Sequence, residues 1–470
     1  MKNSIIVFLF LLTSFSFAQE VDSTFVVIDS TIVDSAEVTF DKNSIQNASA
    51  IVAFYERLYQ LEQTKTGKLN VVHIGDSHIQ ADLFTARMRN KMQDTFGNAG
   101  FGFTFPYSVA KTNNSAPIRF TASGDFQSVR NLYADRSKPV GLSGIALETA
   151  TSDFSIQLEV KDPKYNFTSL KIITPQNTDL FDVSVSSKNT IIETKVPKRV
   201  THKVKPGEVL GGIADKYNVS LKALKKANGL KSDMIRDGKT LTIPSKHTQP
   251  KFVTKTTFLP IDLNATLLSH DYFSDKTLDK ITFIPNQNTN DFALNGLILE
   301  NNSAGIIYSG IGVNGAKCAD YNKFPLFFEQ LPALQPDLIV ISLGTNESFD
   351  KQSADQYFSQ LDQMIASIKL KAPLASIVVT SPPPSVLHRK YTNTYITNYT
   401  VKIKENAHAM GYAVWDLFEV FGGNKNIFKN AAKGLMARDK VHYSKIGYEK
   451  QADLFFEAFL QSYELYKSTK

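Results

Sequence analysis

Strand-like apolar runs alternate with amphipathic helical stripes at the two ends of this 470-residue chain, but not in its middle. Strands separated by helices form parallel sheets with both faces covered. The two ends must therefore meet in one α/β sheet, and the middle must be an insertion. Near the N-terminal end, Ile51, Phe54, Tyr55, Leu58 and Leu61 have a helical spacing within 46–63, and Gly67 ends it. The run "KLNVVHI" follows, with a buried strand at 69–74. After a GDSH turn come Phe84, Met88, Met92 and Phe96, four apart, a stripe for core packing. Past residue 300, "AGIIYSGIGVNG", "PDLIVISLGTNES", "ASIVVTSPPP" and "YAVWDLF" are strands. Helices are expected at 353–370, 394–410 and 444–463.

Between about 101 and 300 the period changes from helical to alternating. "FSIQLEV" places Phe154, Ile156, Leu158 and Val160 on one face, and "FDVSVS" alternates likewise. "KITFIP" and "FALNGLILE" are read as further strands. Short alternating strands parted by Asn, Asp, Gly and Pro predict an antiparallel β-sandwich. A helical period returns only at 200–244, with Leu210, Ile213, Ala214, Tyr217, Leu221, Leu224 and Ala227, between a short opening strand and "KTLTIP".

The first twenty residues, "MKNSIIVFLFLLTSFSFAQE", have a lysine, an uncharged run from Ile5 to Phe17, and small residues at Ser16 and Ala18. That is the pattern of a secretory signal peptide over 1–18. The run is too short to cross about 30 Å of hydrocarbon. No cysteine follows it, which excludes a lipoprotein anchor, and no later stretch of 18 apolar residues occurs. The mature chain is expected to be exported to the periplasm or cell envelope of a bacterium, with no transmembrane segment. Residues 19–45, rich in Ser, Thr, Val and Asp, are expected to be a flexible lead-in. The single cysteine, Cys318, forbids an intrachain disulfide and is read as a buried small hydrophobe. Net charge is +7, and residues 200–244 hold nine Lys or Arg against four Asp or Glu. The excess is thus local, and nucleic acid is not expected as a partner.

In open parallel sheets, ligands bind beyond the carboxyl ends of the strands. Four polar clusters fall there or just before a helix: Gly75-Asp76-Ser77-His78, Val313-Asn314-Gly315, Gly344-Thr345-Asn346-Glu347, and "RDKVHYSKIGY" with Asp439 and His442. A serine hydroxyl is a poor nucleophile until a base takes its proton. His442 stands three residues after Asp439 in a pre-helix loop, and on a helical turn positions three apart share a face. Asp439 could then hold one ring nitrogen while the other faces Ser77, the triad arrangement. The backbone N–H groups of Ser77 and Gly315 and the side-chain amide of Asn346 could supply three oxyanion donors.

These four blocks, in this order, resemble those of the SGNH (GDSL-like) hydrolases. The resemblance covers residues 68–97 and about 304–465. It gives the nucleophile to Ser77, oxyanion donors to Gly315 and Asn346, and the base to His442 with Asp439. Glu347 stands where many family members have Asp, at a position that is not an oxyanion donor. Asp76 is read as shaping the turn, and His78 as a candidate for lining the site. A metal on His73, His78 and Asp76 is disfavoured, because alternate strand residues point to opposite faces. Trp415 is read as core, and "SPPPS" at 381–385 as a rigid loop at the site's edge.

Residues 200–244 resemble a LysM module along their whole length, in "HKVKPGEVLGGIADKYNVSLKALKKANGL" and "IRDGKTLTIP". The family fold is strand, two helices, strand, and it binds N-acetylglucosamine-containing glycans. The resemblance places the glycan groove at Gly207, Glu208, Val209 and Leu210 and at Leu230, Lys231, Ser232 and Asp233. Glu208-Val209 replaces a common Asp-Thr, and Gly211 and Gly212 stand where larger or polar residues are frequent.

The expected layout is a signal peptide at 1–18, a lead-in at 19–45, and an SGNH-type, flavodoxin-like α/β domain at 46–100 and 304–470. An antiparallel sandwich at 101–199 and 245–303 splits it, and itself carries the βααβ module at 200–244. The arrangement looks like the peptidoglycan O-acetylesterase subset of SGNH enzymes. By that resemblance the reaction removes acetyl from the C6 hydroxyl of N-acetylmuramic acid, with no metal or cofactor. Action on another polysaccharide, acetyl transfer to a sugar hydroxyl, and glycan binding without catalysis are the alternatives.

Overall fold

The computed structural model describes residues 43–470 except 114, 134, 199, 246, 247 and 287–290. The expected signal peptide and most of the lead-in lie outside the described residues. Strands Gly305–Gly312, Lys68–Gly75, Leu338–Ser342, Ser376–Thr380 and Ala413–Trp415 lie side by side in that order and pair in parallel. Their sequences are Val- and Ile-rich because both faces are buried. Val72, Ile74, Ile339, Ile341, Ile377 and Val379 enter one apolar cluster with the helices Ala354–Lys371 and Thr394–Met410. Val71, Val340, Val378 and Trp415 enter another with Val52–Thr64, Leu83–Phe96 and Lys445–Lys467.

The helix ends follow from local chemistry. Ser353 and Gln356 form a capping box at the start of Ala354–Lys371. Ser444 caps Lys445–Lys467 through Gly447 N–H at 3.1 Å. Gly411, in the left-handed region, ends Thr394–Met410.

One departure from expectation lies at the N-terminal edge. The flexible lead-in is expected to run to residue 45, but Ile45–Gln46 adds a sixth strand, antiparallel to Ala413–Trp415. Asn43 anchors it: its side chain donates to Leu454 O at 2.9 Å and accepts from Trp415 Nε1 at 3.0 Å. A two-residue strand is too short to show a period.

The middle of the chain forms antiparallel sheets. One five-stranded sheet holds Ile118–Ser123, Ser155–Val160, Lys280–Pro285, Phe181–Pro197 and Thr248–Ile261, and a second holds Gly102–Thr104, Gly296–Glu300, Phe167–Ile173, His270–Leu278 and Asn264–Ala265. Ile118, Leu158, Val183 and Phe283 of the first share an apolar cluster with Leu170, Ile172, Leu297 and Leu299 of the second. The run "FALNGLILE" is two strands, not one. Phe292–Leu294 joins a three-stranded sheet with Ile145–Thr149 and Gln127–Arg130, while Gly296–Glu300 stays in the second five-stranded sheet. The break is at Asn295, which is buried and donates to Pro139 O at 2.8 Å. Asn295-Gly296, a turn-type dipeptide between two apolar halves, marks the change of sheet.

Residues 200–243 form strand Val200–Lys203, helices Leu210–Lys216 and Leu221–Ala227, and strand Thr240–Ile243. The two strands pair antiparallel, with Val200 opposite Ile243. Val204, Leu210, Ile213, Leu224 and Leu241 fill the small core.

Candidate active site

The strand Lys68–Gly75 ends where backbone packs on backbone. A Cβ on Gly75 would stand 2.3 Å from Ile79 Cγ1 and 2.7 Å from Ser342 O. The chain then turns directly into the short helix Ser77–Gln80, capped by Asp76, whose Oδ1 accepts from His78 N–H at 2.9 Å. Asp76 therefore shapes the turn, and Ser77 becomes the first residue of a helix, with its hydroxyl clear of the sheet.

The base comes from the far end of the sequence. Ser77 Oγ lies 2.9 Å from His442 Nε2, and His442 Nδ1 lies 2.7 Å from Asp439 Oδ2. Asp439 and His442 sit in a loop just ahead of the helix Lys445–Lys467, closed by the Met436–Tyr443 bridge, with Lys440 at φ 54°. The second carboxylate oxygen makes the loop: Asp439 Oδ1 accepts the backbone N–H of both Val441 and His442 at 3.0 Å. Burial alone would raise the Asp439 pKa, but the bonds from the His442 ring and these two N–H groups hold it below the usual carboxylate range. The His442 side chain is 44% exposed and Asp439 36%, so the site opens to solvent.

Gly315 and Asn346 converge on the same place. Val313 N–H donates to Gly75 O at 3.3 Å, and Tyr321 OH to the same oxygen at 2.7 Å. Gly315 has φ 85°, which only glycine adopts without strain, and Leu132 packs where a Cβ would stand. Asn346, on Thr345–Phe349, donates from Nδ2 to Ala316 O at 2.9 Å and to Asp76 Oδ2 at 3.3 Å. One amide thus ties three of the four polar clusters together. Arg130 Nη1 reaches Asn314 O at 3.4 Å, so the three-stranded sheet also borders the site, which sequence alone did not signal.

His78 is buried rather than lining the opening. Its Nδ1 lies 2.8 Å from Tyr448 OH and its ring 5.3 Å from that of His442. His73 is engaged by Tyr308 OH at 2.8 Å and Ser342 Oγ at 2.7 Å. Among the described residues no group of three or more His, Cys, Asp or Glu is placed to hold a metal ion. Trp415 is buried against Phe84 and Phe455. The prolines of "SPPPS" are buried, and Pro384 O accepts from Tyr443 OH at 2.7 Å, next to His442. Cys318 is buried, and burial pushes its thiol pKa up.

Two sealed carboxyls lie under the site. Burial pushes Asp76 up to about 8 against the His78 N–H bond, and Glu347 adds to the rise. Burial pushes Glu347 up to about 7, although Cys318 N–H donates to its Oε1 at 2.8 Å. Burial lowers His73 and His78 to about 3. A carboxyl with a raised folded pKa keeps its proton where the unfolded chain, at about 4, has lost it. Stability therefore falls as pH rises through that window. The two neutral histidines act oppositely, adding stability as pH rises toward about 6.5. Above about 6.5 only the carboxyl effect remains. The thermal midpoint should fall between pH 6.5 and 8, and Glu347→Gln should flatten the fall. A wild-type midpoint that is flat or rises across this window contradicts the account.

In the small module, Glu208 is turned inward. Its Oε2 lies 2.6 Å from His202 Nε2 and accepts Lys205 N–H at 2.8 Å. Leu210 is buried and Leu230 packs on the core, whereas Val209, Lys231, Ser232 and Asp233 are exposed. Asp233 pairs with Lys225 Nζ at 2.6 Å, and Gly207 has φ 82°.

A hydroxyl on an imidazole on a carboxylate, beyond the carboxyl ends of a parallel sheet, is the arrangement of a serine acylhydrolase. Residues 288–450 match the GDSL-like Lipase/Acylhydrolase family, and residues 202–244 match the LysM domain. The chain carries a GDSL-like acylhydrolase domain and a LysM domain. The first match holds Gly315, Asn346, Asp439 and His442 but not Ser77, which lies more than 200 residues earlier. A solved structure of a peptidoglycan O-acetylesterase is similar over 90% of this chain and 98% of its own, with 19% identity and a TM-score of 0.57. At that identity the likeness is one of fold. A lipase/acylhydrolase from Enterococcus faecalis covers 33% of this chain and 75% of its own (20% identity, TM-score 0.26). An acetyl esterase covers 35% and 74% (17% identity, TM-score 0.28). No curated protein matches the chain.

Proposed function

We propose that the protein is an exported serine esterase that removes O-acetyl groups from peptidoglycan, at the C6 hydroxyl of N-acetylmuramic acid. The observation that carries this reading is the Ser77–His442–Asp439 chain at 2.9 and 2.7 Å, with Gly315 and Asn346 beside it. The LysM domain points to an N-acetylglucosamine-containing glycan, and the O-acetylesterase of similar fold supports the ester class. The two five-stranded sheets are read as a sandwich inserted between the halves of the catalytic domain. The apolar N-terminal run is read as the export signal, and the cell envelope as the site of action.

In this mechanism His442 Nε2 takes the Ser77 proton as Oγ attacks the acetyl carbonyl. The oxyanion receives N–H bonds from Ser77, Gly315 and Asn346. Asn346 can exchange its long 3.3 Å bond to Asp76 for the oxyanion while its 2.9 Å bond to Ala316 O keeps it in place. His442 then returns the proton to the sugar C6 oxygen as the tetrahedral intermediate collapses. Water, activated by the same imidazole, releases acetate from Ser77. Asp439, charged because its pKa is held low, orients the ring and offsets its positive charge.

The module is assigned to substrate retention. Val200 pairs with Ile243, so its two ends leave side by side, and it can be removed without stretching its host. Replacing 199–247 by a Gly-Ser link is expected to leave hydrolysis of a chromogenic acetate ester within about twofold. Turnover of insoluble peptidoglycan should fall more, because a tethered binder raises local concentration. Equal loss on both substrates would make the module structural and remove it from substrate binding. A wild-type protein inert toward the ester would defeat the esterase reading.

A further inference from the structure

The elements joined to the catalytic turn carry cations that, among the described residues, pair with no carboxylate. The turn carrying Asp439 and His442 is continuous with two other elements. Val386 N–H, in the hairpin of Val386–Leu387 and Tyr391–Thr392, donates to Lys440 O at 3.2 Å. Lys440 Nζ lies 5.3 Å from the Phe428 ring centroid, on the helix Ile427–Ala432. Residues 386–392 carry Arg389 and Lys390 and no acid. Residues 421–441 carry five Lys or Arg against one acid, Asp439, which is already held by His442.

Arg389, Lys390, Lys429, Lys433 and Arg438 are exposed. Among the described residues, neither they nor Lys440 lies within ion-pair distance of a carboxylate, although the same domain pairs Lys317 with Asp350, Lys402 with Asp355 and Lys404 with Asp416. Clustered cations repel one another, and a face that leaves them unpaired holds a positive potential directed at solvent. Two rings lie among them: Phe428 is 54% exposed, and Tyr391, 5.5 Å from Lys390 Nζ, is 59% exposed.

We propose that this face docks a carboxylate-bearing glycan strand, with the cations meeting acidic groups of its peptide stems and the rings meeting sugar faces. The inference rests on the reading that a wall glycan is the substrate. Six cations spread over three elements exceed what one acetyl ester can engage, so the partner must carry repeated anions. Exposed aromatic rings beside cations suit an amphipathic sugar better than a bare ion. A nucleic acid would offer the same charge, but this face runs into an esterase centre, where a phosphodiester has no acyl group to give. Arg438 and Lys440 flank Asp439 in sequence, so a strand held here is delivered to the catalytic turn.

The test compares the full-length protein with a variant carrying Arg389→Gln, Lys390→Gln, Lys429→Gln and Lys433→Gln, matched for thermal unfolding. Binding of fluorescently labelled soluble peptidoglycan strands is followed by anisotropy, with native and carboxyl-amidated strands and at rising salt. Native strands should bind the wild type about tenfold more tightly than amidated ones at low salt, and the gap should close as salt screens it. The variant should lose most of that preference while keeping the LysM contribution common to both proteins. Equal binding of the two strands by the wild type, or a preference undiminished in the variant, overturns the proposal. Tighter binding of single-stranded DNA than of strands, lost in the variant, also overturns it and assigns the face to nucleic acid. Hydrolysis of a chromogenic acetate ester is measured alongside. Its absence would defeat the esterase reading, while the anisotropy still reports on the docking face.

Discussion

Ser77→Ala is expected to lower hydrolysis of an acetate ester by about 10⁴-fold or more, with the fold intact. The size follows from how the parts depend on each other. His442 Nε2 has Ser77 Oγ at 2.9 Å, and without that hydroxyl the imidazole has no nucleophile to deprotonate. In units of this kind, removing one member costs nearly as much as removing all. The fold should survive because Ser77 is half-buried and its side chain supports no core packing, whereas the turn is held by Asp76, Gly75 and Ile79. A fluorophosphonate should label Ser77 in the wild type. Label on another serine, or a variant within tenfold of wild type, removes Ser77 from the mechanism.

Asp439→Asn should cost about 10⁴-fold in kcat, by analogy with the same change in a serine-protease triad. The substitution is chosen because it separates orientation from architecture. Asp439 Oδ1 accepts two backbone N–H groups, and an asparagine oxygen can still accept both, so the turn should persist. What changes is the group facing His442 Nδ1 at 2.7 Å. An amide NH₂ there favours the wrong tautomer and leaves the imidazolium without its counter-charge. Residual rate should come from the oxyanion donors. A variant with full activity would take Asp439 out of the unit, and one that fails to fold would show that the carboxylate is structural. Circular dichroism and thermal unfolding distinguish these two outcomes.

The sequence carried the parallel sheet because strands buried on both faces cannot alternate, and helices between them must cover those faces. It also singled out Ser77, Gly315, Asn346, Asp439 and His442, because each sits where a strand ends or a helix begins, and the structure brings Ser77, His442 and Asp439 within hydrogen-bond distance. What it did not carry depends on contacts between distant positions. Ile45–Gln46 becomes a strand through Asn43, Trp415 and Leu454, and two residues have no period. The switch of sheet falls on Asn295-Gly296, a turn-type dipeptide that a single-strand reading of the run passes over; it is fixed by Pro139 O and by the Phe103 ring, which stands 2.2 Å from where a Gly296 Cβ would be. The pre-helix loop of Asp439 and His442 was legible, but its closure was not: Asp439 Oδ1 accepts two backbone N–H groups. His78 was a candidate for lining the site, and Tyr448, 370 residues later, holds it buried behind His442. The pairing of Glu208 with the His202 imidazole likewise depends on a contact that the spacing does not show.

The most direct test of the account is acetate release from purified peptidoglycan. The wild-type protein should liberate acetate from O-acetylated walls, and none from the same walls after mild base has stripped their esters. Ser77→Ala should release none from either. Acetate from the stripped walls, or equal release by Ser77→Ala, would contradict an O-acetyl esterase acting through Ser77. A wild type that hydrolyses a chromogenic acetate yet leaves O-acetylated walls untouched would contradict the assigned substrate.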